Sequence, residues 1–149
     1  MPPMYSRGDR RKAVLTTISS DSHTWNLIFL QLLLEEHRYL VHNLGPCVPV
    51  ELLVAECSAE LPHLIVVSTV NGHGFHEAGR IGSALRAVPA LEGVPMVIGG
   101  KLGIDGWQPE RRDELLAAGF DAVFHDEPGQ LAAFSGFLEA AAAGTRLYA

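Results

Sequence analysis

Short β-branched bursts alternate with helix-period segments from Ala13 to Ala143, and this alternation limits the fold more than any other feature of the chain. Ala13-Val-Leu-Thr-Thr-Ile18 reads as a buried strand that ends in the polar cluster Ser19-Ser20-Asp21. Thr24 to His37 carries apolar residues at Leu27, Ile28, Leu30, Leu32, Leu33 and Leu34, a helix with a broad apolar face. Tyr39 to Leu44 is a second strand, and Pro49 suits the first turn of a helix running to about Ala59. His63 to Ser68 is the clearest central strand. The second half repeats the rhythm: a helix from Phe75 to Ala87, a strand from Val94 to Ile98 that runs into Gly99-Gly100, and a helix from Pro109 to Ala118. A fifth strand, Asp121 to His125, and an Ala-rich helix from Gln130 to Ala143 complete the series.

Near-continuous apolar strands separated by helices predict a parallel sheet covered on both faces. Right-handed crossovers leave few topologies for five strands. The expected one is the α/β, flavodoxin-like (Rossmann-like), doubly wound sheet of order 2-1-3-4-5. Its ligand crevice would lie at the carboxyl ends of strands 1 and 3.

The chain has 149 residues, 48% of them hydrophobic and 19% charged, which excludes a disordered chain and suits one domain. The expected organisation is a flexible basic arm over 1–12, one domain over 13–143 and a tail over 144–149. A net charge of −6 argues against nucleic acid or an anionic membrane as the main partner. No run approaches a membrane span, and the polar start does not resemble a secretory signal. Cys47 and Cys57 have neither metal-ligand spacing nor a disulfide framework, so a cytoplasmic location is expected.

Three loops fall on the predicted crevice: Ser20-Asp21-Ser22-His23-Thr24, Ser68-Thr69-Val70-Asn71-Gly72-His73-Gly74 and Gly99-Gly100-Lys101-Leu102-Gly103-Ile104-Asp105. Taken singly, Asp21 or Thr24 also suits a helix cap, and the glycines suit turns. Convergence on one sheet edge is what singles them out. Asp21 and His23, two apart, can form a carboxylate–imidazole pair that fixes the tautomer and leaves one ring nitrogen basic and outward. One imidazole is too few for a zinc site built by protein alone, but it suffices for a metal already held in a macrocycle. Ser68, Gly99 and Gly100 place small residues along neighbouring strand ends, which opens a slot between sheet and helices.

Asp21-Ser-His23-Thr-Trp-Asn26 resembles the DxHxxG cobalamin-binding motif, Ser68-Thr-Val70 its SxL companion, and Gly99-Gly100 the GG element after strand 4. Within that superfamily the chain looks most like the small, cobalamin-binding subunits of glutamate (methylaspartate) mutases. Val41-His-Asn-Leu-Gly45, Asn71-Gly-His-Gly74 and Ile98-Gly-Gly-Lys101 echo them, and the similarity runs from about Ala13 to Leu138. Asn26 stands at the motif's glycine and Val70 at its leucine, a loss of about one methylene in the slot.

The resemblance implies base-off, His-on binding of adenosylcobalamin, with His23 as lower axial ligand to cobalt and Asp21 as its partner. These two carry the catalytic role. By the same resemblance Ser20, Ser22 and Thr24 flank the ligand, Ser68 bonds the buried base, and Thr69 and Val70 line the slot. Gly99 and Gly100 let the tail pass, and Lys101, Leu102, Gly103, Ile104 and Asp105 lie against tail or corrin. The implied activity is that of an isomerase interconverting L-glutamate and threo-3-methylaspartate. Its substrate sits on a large TIM-barrel subunit, in a heterotetramer, so this chain alone carries the cofactor without turnover.

Other readings are weaker. A response-regulator receiver needs Asp at the end of strand 3 and Lys at the end of strand 5, where this chain has Ser68 and His125. A flavodoxin wants flanking aromatic residues, for which Trp25 and Trp107 are available, but Trp25 reads better as a packing residue. His73 and His76 read as polar surface rather than as a ligand pair. A corrinoid carrier for methyl transfer or for a radical SAM partner is the main rival, as is the small subunit of another cobalamin-dependent mutase. Methyl-transfer carriers usually have a helical cap before the DxH loop, and only about twenty residues precede Asp21.

Overall fold

The structure, a computed structural model, describes residues 10–72, 74–102 and 107–142. Most of the expected arm, the expected tail, His73, Gly103, Ile104 and Asp105 lie outside them. Five strands alternate with five helices: β1 (Arg11–Thr16), α1 (Trp25–Glu36), β2 (Tyr39–Asn43), α2 (Val50–Glu60), β3 (Leu64–Thr69), α3 (Gly74–Arg86), β4 (Met96–Gly100), α4 (Pro109–Ala117), β5 (Ala122–His125) and α5 (Gln130–Ala142). A short 3₁₀ turn at Pro89–Leu91, which the sequence pattern did not signal, precedes β4. All pairings are parallel and the order is β2-β1-β3-β4-β5, the flavodoxin-like arrangement.

β1 starts two residues before the apolar run. Arg11 and Lys12, expected in the arm, pair with Tyr39 and Leu40 of β2. Backbone pairing needs no apolar side chain, so the ladder extends past the hydrophobic signal. At the other end, Thr17 and Ile18 are buried but leave the ladder.

Alternation along the strands divides the core. Val14, Ile65, Val67, Ile98 and Val123 pack against α2, α3 and α4. Leu15, Leu64, Val66 and Val97 pack against α1 and α5. α1 is apolar nearly all round, so one side covers the sheet through Leu27 and Leu34 while Ile28 and Leu32 stay exposed. The broad face expected from its composition is therefore only partly buried.

Cys57 on α2 is fully buried. Burial, with a contribution from the neighbouring Glu56 charge, pushes its thiol up to about 12. Cys47 is exposed. An aromatic disulfide reagent at pH 8 is therefore expected to titrate one thiol in the native chain and two after denaturation. Two fast thiols in the native state would show that α2 does not pack as described.

Candidate functional site

The loop from β1 to α1 crosses the carboxyl edge of the sheet, where it is anchored by its own backbone. Asp21 N–H donates to the Ile18 carbonyl (3.2 Å), and the Asp21 carbonyl accepts from Cys47 N–H (2.8 Å). These bonds turn the Asp21 side chain inward, where it is fully buried.

Its carboxylate is completely engaged. Oδ1 accepts from His23 backbone N–H (3.0 Å) and lies 2.7 Å from His23 Nδ1. Oδ2 accepts from Val70 N–H (2.8 Å) and from the Thr69 hydroxyl (2.9 Å). Desolvation alone would raise the Asp21 pKa. The bonds from His23 and Val70 backbone, then from the His23 ring and Thr69, outweigh it and hold the carboxyl below its ordinary value. An ionised carboxylate only accepts, so Nδ1 carries a proton, and in the neutral ring Nε2 is left with its lone pair. The His23 side chain is about half exposed, at 47%, so this basic nitrogen is accessible.

Beside this pair, between α1 and α5 and over β3, β4 and β5, lies a slot of about 370 Å³. That volume lies within the roughly 300–1,000 Å³ of small-molecule sites. Ser68, Val70, Gly99 and Gly100 line it, with Phe124 and Phe134 among its apolar walls. Ser68 and Gly99 are register partners, so the floor beside the serine hydroxyl carries no side chain. Gly99 is also constrained by the sheet, since a Cβ there would meet the Phe124 carbonyl at 2.8 Å.

The remaining expected residues fall elsewhere. Thr69 points away from the slot, to Asp21. The Ser20 hydroxyl donates to Glu77 on α3 (3.2 Å), and Asn71 Nδ2 donates to the Ser20 carbonyl (3.1 Å). Ser22 and Lys101 are exposed, and Thr24 precedes α1 without a side-chain cap bond. Leu102 requires a correction. It is buried in the core of the opposite sheet face, because the chain has crossed the sheet edge after Gly100 and its carbonyl accepts from Phe75 N–H (3.0 Å). His76 is exposed on α3, its ring edge-on to Phe75.

Trp25 also differs from expectation. It lines the slot mouth and is 68% exposed, so it is not a packing residue. Leu131 and Phe134 on α5 and His125, stacked on Trp107 at 4.5 Å, were not singled out from the sequence. Large apolar residues within an Ala-rich helix were the available signal. Asn26, noted only as a departure from a motif, proves to be a buried wall of the slot.

No protein-family profile and no curated protein sequence matches the chain. Solved structures share its fold. The methanol:cobalamin methyltransferase complex of Methanosarcina barkeri superposes with a TM-score of 0.69 at 19% identity, over 93% of this chain and 48% of that one. A cobalamin-binding protein from Desulfitobacterium hafniense gives 0.69 at 21%, over 89% and 59%. A chemotaxis response regulator of Vibrio cholerae gives 0.63 at 14%, over 87% and 98%. The chain thus spans about half the length of the two corrinoid-related chains. One fold serves unrelated functions among these neighbours, so the function has to be argued from the site.

Proposed function

We propose that this chain is a corrinoid-binding domain in which His23 Nε2 is the lower axial ligand of cobalt and the slot takes the nucleotide tail. The observation that carries the reading is the Asp21–His23 pair, its free nitrogen accessible beside an apolar slot. The residues fit such a group. A macrocycle-held metal needs one protein ligand, and this site offers one imidazole whose Nδ1 is held by Asp21. The fold shared with cobalamin-binding proteins supports the same reading.

Within that class the chain is the small subunit of an adenosylcobalamin-dependent carbon-skeleton mutase, of the glutamate mutase type. The motif spacing from Asp21 to Lys101 supports it. What a bound adenosylcobalamin supplies is a cobalt–carbon bond whose homolysis starts a radical rearrangement. This chain's part is to bind and orient. His23 would hold the group through Nε2, Asp21 keeps the proton on Nδ1, and the apolar slot walls would exclude water from the tail. Substrate binding belongs to a large TIM-barrel partner. A second reading, a corrinoid carrier for methyl transfer, is favoured by the likeness to the methanol:cobalamin methyltransferase complex.

Titration of the full chain with hydroxocobalamin or adenosylcobalamin, followed in the visible spectrum, tests the domain-level reading. Cob(II)alamin formed on the protein is expected to show nitrogen hyperfine coupling in EPR that isotopically labelled histidine alters. His23→Ala should abolish that coupling. Coupling that survives in His23→Ala, or no corrinoid binding at high micromolar concentration, overturns the assignment. Glutamate-to-methylaspartate turnover on adding a mutase large subunit separates the mutase from the methyl carrier.

A further inference from the structure

We propose that Asn26 and Ser68 together read the base at the end of the slot, and that they select a corrinoid whose tail carries an aminopurine over one carrying dimethylbenzimidazole. The proposal rests on the corrinoid reading above and, within it, makes an aminopurine-tailed analogue of adenosylcobalamin the preferred form.

Asn26, on the first turn of α1, is 7% exposed and lines the slot. Its Nδ2 donates to Ser68 Oγ at 3.1 Å, and Ser68 is itself 4% exposed. Its Oδ1 is the one buried side-chain polar atom among the described residues that has no hydrogen-bond partner. Buried polar groups are nearly always paired, and an acceptor left without a donor opposes folding. At a slot wall the missing donor is one a ligand can bring. Ser68, having accepted from Asn26, still has its own hydroxyl proton to donate.

The two side chains therefore offer one donor and one acceptor side by side. An aminopurine edge matches both, with an amino group next to a ring nitrogen, and an asparagine amide suits such an edge. Dimethylbenzimidazole, attached to its ribose through one nitrogen, keeps only the other ring nitrogen, an acceptor. It would satisfy Ser68 and leave Asn26 Oδ1 unmet. A site built to hydrogen-bond discriminates strongly against an analogue that lacks the group. Gly99, opposite Ser68 in the register, adds no side chain that would hold the base away.

The test compares dissociation constants, by visible-spectrum titration of the full chain, for three hydroxo corrinoids: adenine-tailed, dimethylbenzimidazole-tailed and tail-less cobinamide. The wild type is expected to bind the adenine-tailed form about tenfold tighter than the dimethylbenzimidazole form, one unmet hydrogen bond's worth. In Asn26→Ala that ratio should fall to within about twofold. Asn26→Gly serves as a second variant, and thermal melts confirm that each is folded. Equal or reversed preference in the wild type, or a preference that survives both substitutions, overturns the proposal and leaves the corrinoid reading standing. Failure of all three corrinoids to bind overturns both.

Discussion

Asp21→Ala is expected to destabilise the folded chain by about 3 kcal/mol at pH 7, since it strands the buried Thr69 hydroxyl and the part-buried N–H groups of Val70 and His23 at roughly 1–3 kcal/mol each, partly relieved by water. For a domain of this size that lowers Tm by roughly 6–12 °C. The loss should also depend on pH in a definite direction. The folded carboxyl sits below its ordinary value of 3.8, so as pH falls the unfolded chain takes up the proton first. The contribution of Asp21 is full above about pH 4 and fades as pH drops through the lower, folded value. Urea denaturation of both proteins between pH 7 and pH 3 should show the gap constant down to about 4 and narrowing below it. A gap that stays constant to pH 3 would mean that the charge of Asp21 is not what stabilises the loop. In the same variant His23 loses the partner that fixes its tautomer, and corrinoid affinity should fall about 10–100-fold.

The second large effect is expected at Gly100. Its φ is +105°, and a Cβ there would sit 2.0 Å from the Thr69 carbonyl oxygen, a backbone atom that cannot step aside. Gly100→Ala thus combines left-handed strain with a main-chain clash, and a loss above about 4 kcal/mol is expected, at the extreme of single substitutions. Gly93→Ala is the control. It meets nothing within 4 Å and should stay within about 0.5 kcal/mol of wild type. Equal denaturation midpoints for the two variants would refute the assigned backbone at Gly100. The clash is relayed to the site as well, because Thr69 holds Asp21 through its hydroxyl. This glycine serves the chain's own packing as well as lining the slot.

Much of the architecture was legible because its signals are local. Apolar bursts such as Leu64 to Val67 mark strands whatever surrounds them, and parallel pairing follows from the intervening helices. Asp21 and His23 were legible as a pair because two residues on one loop cannot be far apart. The partners of Asp21 were harder. Thr69 and Val70 lie 48 and 49 residues away, and only the β1–β3 neighbourhood brings them to the carboxylate.

What the sequence determined by itself is the alternation of elements, the parallel sheet it implies and the local Asp21–His23 pairing. These depend on side-chain period and on chain connectivity over a few residues. Tertiary structure alone decided which way each residue at the sheet edge turns once the period-2 pattern ends. Past Gly100 the chain leaves the ladder, so Leu102 drops into the opposite core, while Trp25 stands exposed at the slot mouth and Asn26 turns inward to Ser68. Those directions are set by backbone bonds between loops distant in sequence, and no local pattern encodes them.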